Sequence, residues 1–258
     1  MFHRVEKKRI AFLLPTACTG NLSGVLARRE EILRSIASPG TQIDIFGLEK
    51  DPGKSHLYTS QSAYDAALST PEDLRCAMEA EKSGYQAVII ACGGDPGVAP
   101  IREVIHIPVI PPGSAARHLC SMLGPRFSVL TTGKGRPYAT EIYERDGLLK
   151  LVSVHPIGLT VPEVRSKPKE AYMAMVREGK KAVKEHGASA LTYGCMSMGF
   201  LMVDDRLTDA AGVPAINPVR AAVRMAEMFI DFGITHSKGS YPIPASLKNQ
   251  SGKGAVTC

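Results

Sequence analysis

Short runs that are apolar throughout alternate with longer stretches of helical period along this chain, and the alternation occurs twice. Residues 10–14, 42–46, 87–91, 109–110, 127–131, 149–154, 190–193 and 215–216 read as strands. Uniform rather than alternating apolarity marks strands covered on both faces. Helical spacing falls near residues 24–37, 71–82, 114–122, 137–144, 169–185 and 218–232. The last of these carries the clearest boundaries: Asn217 suits an N-cap, Pro218 the first helical position, and Gly233 lies just past the end. This βαβα order predicts an α/β fold of parallel sheets with helices on both sides.

The two passes match in detail. Arg9-Ile-Ala-Phe-Leu-Leu parallels Arg126-Phe-Ser-Val-Leu-Thr, and Ile107-Pro-Val-Ile parallels Val213-Pro-Ala-Ile. Between them, Gly84-Tyr-Gln-Ala-Val-Ile-Ile-Ala-Cys92 parallels Gly187-Ala-Ser-Ala-Leu-Thr-Tyr-Gly-Cys195. The expected architecture is two pseudo-symmetric α/β subdomains, each with a parallel sheet of about four strands. We expect one to comprise residues 1–114 plus 217–258 and carry Cys92, and the other residues 115–216 and carry Cys195. Ligands of open parallel sheets bind beyond the carboxyl ends of the strands. The active site is therefore expected in the cleft between the two halves, with a thiol on either side.

That placement has a chemical consequence. Two thiols facing one pocket from opposite sides suit moving a proton between the two faces of a carbon. Cys92 lies in Ala91-Cys-Gly-Gly-Asp-Pro-Gly97, where Gly93 and Gly94 let backbone approach a ligand and Pro96 can open a short helix. Backbone N–H groups at a helix start favour a thiolate and an enolate oxygen beside it. Cys195 lies in Tyr193-Gly-Cys-Met-Ser-Met-Gly199, which brings Met196 and Ser197 to the ligand. Thr16, in the turn after the first strand that also holds Cys18 and Asn21, is the preferred polar contact there. Thr131 and Thr132 end the mirror strand, and Ser114 follows the fourth; their hydroxyls are placed for hydrogen bonds in the cleft.

Other side chains fit bland roles. Asp95 is read as ordering the Cys92 loop rather than as a base, and Asp204-Asp205 as a solvated turn. Cys76 and Cys120 read as core and Cys258 as tail. The seven histidines show no ligand spacing; His106, His118 and His155 are the ones near enough in pattern to approach a thiol. Gly53-Lys-Ser55 resembles the end of a phosphate-binding loop, but that motif needs a glycine where Leu48 stands, so it is rejected.

Composition removes several classes. The chain has 258 residues, 44% hydrophobic and 22% charged, which is ordinary for a globular protein. Tryptophan is absent, and the net charge of +6 is spread along the chain rather than gathered in a nucleic-acid footprint. Six cysteines without CxxC or Cys/His spacing form neither a disulfide framework nor a zinc site. Free thiols belong in a reducing compartment, so a cytoplasmic location is expected. No apolar stretch approaches the roughly 20 residues needed to cross a membrane. The expected partner is a small molecule, with no nucleic acid, membrane or metal.

Cys92-Gly-Gly-Asp-Pro-Gly97, Arg126-Phe-Ser-Val-Leu-Thr-Thr132, Gly194-Cys-Met-Ser-Met-Gly199 and Val213-Pro-Ala-Ile-Asn-Pro-Val219 resemble the aspartate/glutamate/hydantoin racemase superfamily. The segment Gly212-Val-Pro followed by Ala221-Ala-Val-Arg-Met-Ala-Glu227, with Ser237-Lys238 and Tyr241-Pro242, resembles the hydantoin racemase branch. The likeness spans nearly the whole chain. It implies a cofactor-independent, homo-oligomeric isomerase in which one cysteine removes the proton from the stereocentre and the other delivers one to the opposite face. Cys92 and Cys195 match those two positions. The implied substrate is a hydantoin-like cyclic ureide. The chain departs from the family at Leu14-Pro-Thr-Ala-Cys18, where an Asn-Pro-Asn-Thr type turn is usual, at Pro111-Pro-Gly-Ser-Ala-Ala116, and at Met-Ser-Met after Cys195. These pocket positions leave a second reading open. A single cysteine would drive hydrolysis or desulfuration of a thiohydantoin, decarboxylation, or cis–trans isomerisation of a small carboxylic acid. A non-catalytic sensor on the same scaffold would need neither thiol.

Overall fold

In the computed structural model, which describes residues 7–17, 23–48, 62–134 and 150–248, the chain folds into two four-stranded parallel sheets. The first half runs β1 (Lys8–Ala17), α1 (Ser23–Ile36), β2 (Thr41–Leu48), α2 (Ala63–Lys82), β3 (Ala87–Ile90), α3 (Val98–Val104), β4 (Val109–Ile110) and α4 (Pro112–Leu123). The second runs β5 (Phe127–Thr131), β6 (Leu151–Pro156), α5 (Val161–Ser166), α6 (Pro168–His186), β7 (Ala190–Tyr193), α7 (Met196–Gly199), α8 (Asp204–Ala211), β8 (Ala215–Ile216) and α9 (Pro218–Phe232), followed by α10 (Ala245–Lys248). Strand order is β2-β1-β3-β4 in one sheet and β6-β5-β7-β8 in the other.

The repeat extends to the register. Ile10 pairs with Ala87 and Leu13 with Ile90, while Phe127 pairs with Ala190 and Leu130 with Tyr193. Val88 pairs with Val109 and Leu191 with Ala215. These are the correspondences read from the sequence, now residue by residue.

Both faces of each sheet are covered, which explains strands without polar alternation. Ile10, Phe12, Ile89 and Ile110 pack on one face of the first sheet against Val219, Ala222, Val223, Ala226 and Ile230 of α9. Ala11, Leu13, Val88 and Ile90 pack on the other face with Cys76, Ala77 and Ala80 of α2 and Ile101 of α3. In the second sheet, Leu130, Leu191 and Tyr193 meet Ala171, Met175 and Ala182 of α6. Phe127, Val129 and Ala190 meet Cys120 of α4. The helices after β4 and β8 thus cross over. Helix α4 reaches the second sheet, α9 covers the first, and Ala115 and Ala116 of α4 share the core with α9.

Two sequence expectations need correction. Helix α2 begins at Ala63 rather than near Pro71, because Ser62 and Asp65 form a reciprocal capping box and the helix continues through Pro71. Proline removes one helical N–H, and just before it the Thr70 Oγ1 and Ser69 Oγ groups bond to Ala66 O at 2.8 and 3.1 Å. Asp204 is not solvated: it opens α8, is buried, and bonds to Asn217 and Arg220. The helix expected over 137–144, the Gly53-Lys-Ser55 segment, Cys18, Asn21 and the tail from 249 to Cys258 lie outside the described residues. No described helix is long and apolar enough to cross a membrane.

Candidate active site

The two cysteines stand at equivalent points of equivalent strands. In β3 the last paired residue is Ile90; Ala91 N–H then donates to Leu13 O at 2.7 Å, and Cys92 follows. In β7 the last paired residue is Tyr193; Gly194 N–H donates to Leu130 O at 2.7 Å, and Cys195 follows. Each thiol therefore sits just past the carboxyl edge of its sheet, half-buried.

The two loops touch through backbone. A Cβ on Gly93 would lie 2.5 Å from Gly194 O, 2.6 Å from its carbonyl carbon and 3.0 Å from Cys195 N. Only glycine permits this approach. Gly113 is held as tightly: a Cβ there would collide with Gly93 O and lie 2.8 Å from Asp95 Oδ2. Three segments, 92–95, 113–114 and 194–195, are thereby packed into one constellation. Gly94 borders the Cys92 sulfur, since its added Cβ would lie 4.0 Å away.

Hydrogen bonds fix the same segments. Asp95 has a positive φ of 52° and a buried side chain. It accepts from Gly113 N at 2.8 Å, from Ser114 N at 2.7 Å and from Arg117 Nη2 at 2.9 Å. The expectation that Asp95 orders the Cys92 loop agrees with these bonds. On the other side, Cys195 O accepts from Met198 N and Gly199 N and so opens the single turn of α7. Met196 and Ser197 are buried in that turn. Asn217 caps α9 by accepting from Val219 N at 3.0 Å. It also donates to Gly199 O and to Asp204 Oδ1, each at 2.9 Å.

Thr131 and Thr132 lie half-buried at the end of β5, beside β7. Ser114 is half-buried at the start of α4, with its hydroxyl 3.3 Å from His118 Nδ1. Thr16 falls at the end of β1, but its side chain lies outside the described residues. His106 is exposed beside Glu81, and His155 is buried on the second sheet between Ser153 and Glu178. Among the described residues no group of His, Cys, Asp or Glu is arranged to hold a metal ion.

The sequence pattern of the family described as Asp/Glu/Hydantoin racemase matches residues 28–226. The chain belongs to this family. It is 36% identical over 183 residues to a hydantoin racemase of Rhizobium meliloti, covering 70% of this chain and 75% of that protein. It is 32% identical over 211 residues to a hydantoin racemase of Pseudomonas sp. strain NS671, covering 81% and 82%. Its fold is similar to that of the allantoin racemase from Klebsiella pneumoniae, with a TM-score of 0.81 and 26% identity over 98% of this chain and 97% of that one. The chain is accordingly an isomerase of the racemase type.

Within this racemase the other described cysteines are chemically quiet. Burial pushes the thiols of Cys76 and Cys120 up to about 12, leaving them protonated at neutral pH. Both are core, as expected from the sequence. Two residues near the loops escaped sequence reading. Arg117, only 1% exposed, is among the largest fully buried side chains and forms an ion pair with Asp95. Its signal was an arginine on the face of α4 that carries Gly113 and Cys120, where an apolar residue is the rule. Arg29 reaches from α1 to Ser197 Oγ at 3.4 Å and lies over the Phe200 ring. No local pattern distinguishes it from the other charges of α1.

Proposed function

We propose that this racemase inverts the stereocentre of a hydantoin-like cyclic ureide, allantoin and 5-substituted hydantoins being the first candidates, by proton transfer between Cys92 and Cys195. The observation that carries the reading is the equivalence of the two thiols combined with the backbone contact at Gly93 and Gly194. Two acid–base groups of one kind at matched sheet edges suit a reaction whose forward and reverse directions are mirror images.

The chemistry runs as follows. One cysteine, as thiolate, takes the C–H proton between the ring carbonyl and ring nitrogen. The electron pair moves onto the carbonyl oxygen as an enolate. The opposing thiol then protonates the carbon from the other face. General acid–base transfer of this kind contributes typically ~10²–10⁴-fold. Backbone N–H groups of Gly93 and Gly94 and of Met196 and Ser197, with the hydroxyls of Thr16, Ser114, Thr131 and Thr132, are the proposed ligands of the ring and its enolate oxygen. One such donor is worth about 3 kcal/mol in other enzymes.

The proposed frame is two halves, residues 1–114 with 217–258 and residues 115–216, closing on the substrate without a cofactor. A cytoplasmic homo-oligomer fits the four described cysteines, which are thiols rather than disulfides, and the oligomeric habit of the family.

The test is proton NMR in deuterated buffer with optically pure allantoin and hydantoins. Loss of the stereocentre proton with loss of optical rotation is expected for the wild type. Cys92→Ala and Cys195→Ala should each lose racemisation by ~10²-fold or more. Normal turnover in both variants would end the two-thiol mechanism. Chemical conversion without racemisation, surviving loss of one cysteine, would select the hydrolytic or decarboxylating alternative.

A further inference from the structure

The two cysteine loops are pinned to the adjacent helix starts by different chemistry. In the second half the pinning side chain is an amide that lies off the cysteine loop: Asn217 at the end of β8 caps α9 and donates to Gly199 O and to the buried Asp204, whose carboxylate is paired with Arg220. In the first half Pro111 occupies the corresponding place ahead of α4 and supplies no side-chain cap. The N–H groups of Gly113 and Ser114 are met instead by Asp95, reaching over from the Cys92 loop. That arrangement buries a carboxylate, and the fold supplies Arg117 to compensate it, with side chains 2% and 5% exposed and 2.9 Å apart. A buried charge needs such a partner, and removing one member strands the other. Asp95 also holds its backbone at a positive φ of 52°, uncommon outside glycine but better tolerated by Asp than by most residues. Its N–H donates to Cys92 O at 3.1 Å, so the restrained turn closes directly on the cysteine.

We propose that Arg117, acting through Asp95, is a positioning residue for Cys92 alone, and that this ion pair sets the charge balance felt by that thiol while leaving Cys195 untouched. The inference rests on the two-thiol reading, in which the cysteines serve opposite faces of one carbon. Its content is that the first half carries its ion pair on the cysteine loop itself, three residues from Cys92, whereas in the second half the Asp204–Arg220 pair stands beyond Asn217 on α8 and α9. Removing the carboxylate leaves a buried guanidinium and a helix start near Cys92, both of which favour the thiolate. Removing the guanidinium leaves the carboxylate, which disfavours it.

The test is the rate of iodoacetamide alkylation against pH in the full-length protein, resolved by peptide mass spectrometry into Cys92 and Cys195. At pH 7, Asp95→Asn should alkylate at Cys92 at least about threefold faster than wild type, and Arg117→Met at least about threefold slower. Arg117→Lys, which keeps the charge, should return Cys92 toward the wild-type profile. Cys195 should keep its profile in all three. Circular dichroism identifies any variant that fails to fold, and in that event Asp95→Ser and Arg117→Gln, which remove the same charges, carry the comparison. Cys92 profiles that do not move in folded charge-removing variants, or both cysteines shifting together, would overturn the proposal. Alkylation needs no substrate, so this outcome is independent of whether Cys92→Ala abolishes turnover, which judges the two-thiol mechanism itself.

Discussion

Gly93→Ala is the sharpest probe of the cleft. The new Cβ would stand 2.5 Å from Gly194 O and 2.6 Å from its carbonyl carbon. Ordinary contact begins near 3.4 Å, so the loops must separate by roughly 1 Å. Both obstructing atoms are backbone, and no rotamer change relieves them. Overpacking of this kind costs about 1–3 kcal/mol of stability. A displacement of about 1 Å between reacting groups costs on the order of 10²-fold in rate. The expected outcome is therefore a folded protein, modestly weakened in urea, with racemisation down by about 10²-fold. Decay of circular dichroism from an optically pure substrate measures the rate, and urea unfolding measures the stability. Gly24→Ala is the control: among the described residues nothing lies within 4 Å of its Cβ, and activity should not change. If Gly93→Ala stays folded and keeps activity within about threefold of wild type, the cysteine loops do not depend on this contact.

Asp73 gives a pH prediction. Burial raises its carboxyl to about 7 from 3.8, and its buried Oδ2 has no hydrogen-bond partner among the described residues. The folded protein holds this proton more tightly than the unfolded chain, so stability falls as pH rises from about 4 to 7. That displacement corresponds to roughly 4 kcal/mol as an upper bound. Asp73→Asn should stabilise at pH 8 and change little at pH 4 in urea titrations; an equal effect at both pH values would contradict it. Asn217→Ala removes the α9 cap, leaves Gly199 O only its bond from Met202 N, and takes the amide donor from the buried Asp204 Oδ1. It should cost about 2–4 kcal/mol in unfolding free energy, and a loss under 0.5 kcal/mol, as an order-of-magnitude threshold for an ordinary surface change, would show the network to be dispensable.

Legibility followed the strength of local signals. Strands β4, β5, β7 and β8 and helix α9 fall where the sequence places them, because continuous apolar runs and paired Asn/Pro and Gly signals leave no competing reading. The cysteine pair was legible because the repeat fixes register, and register fixes which residue ends each strand. Helix α2 was misplaced because proline commonly opens helices, whereas here Ser62 and Asp65 open it and Pro71 is carried inside. Asp204 was misread because its burial depends on Asn217 and Arg220, which are distant in sequence and arrive only with β8 and α9. Arg117 stands out locally as an arginine on the apolar face of α4, but its partner lies in a loop 22 residues earlier and only the fold brings the two together.

The pins also show what a duplicated fold repeats and what it does not. Both halves must satisfy the N–H groups at a helix start beside the cleft, and both must hold a glycine-bearing cysteine loop against that start. The first half does so with a side chain on the loop, Asp95, reaching to α4. The second does so with a side chain at the strand end, Asn217, reaching to the loop. Aligning the halves on their cysteines sets Asp95 opposite Met198, and aligning them on the fourth strands sets Asn217 opposite Pro111. Neither pinning residue has its counterpart in the other half, although the bonds do the same work. A duplicated architecture thus constrains which backbone groups need a partner, and each half is free to recruit that partner from a different point of the chain. The thiols sit at equivalent positions while the side chains that pin their loops differ in kind and in place.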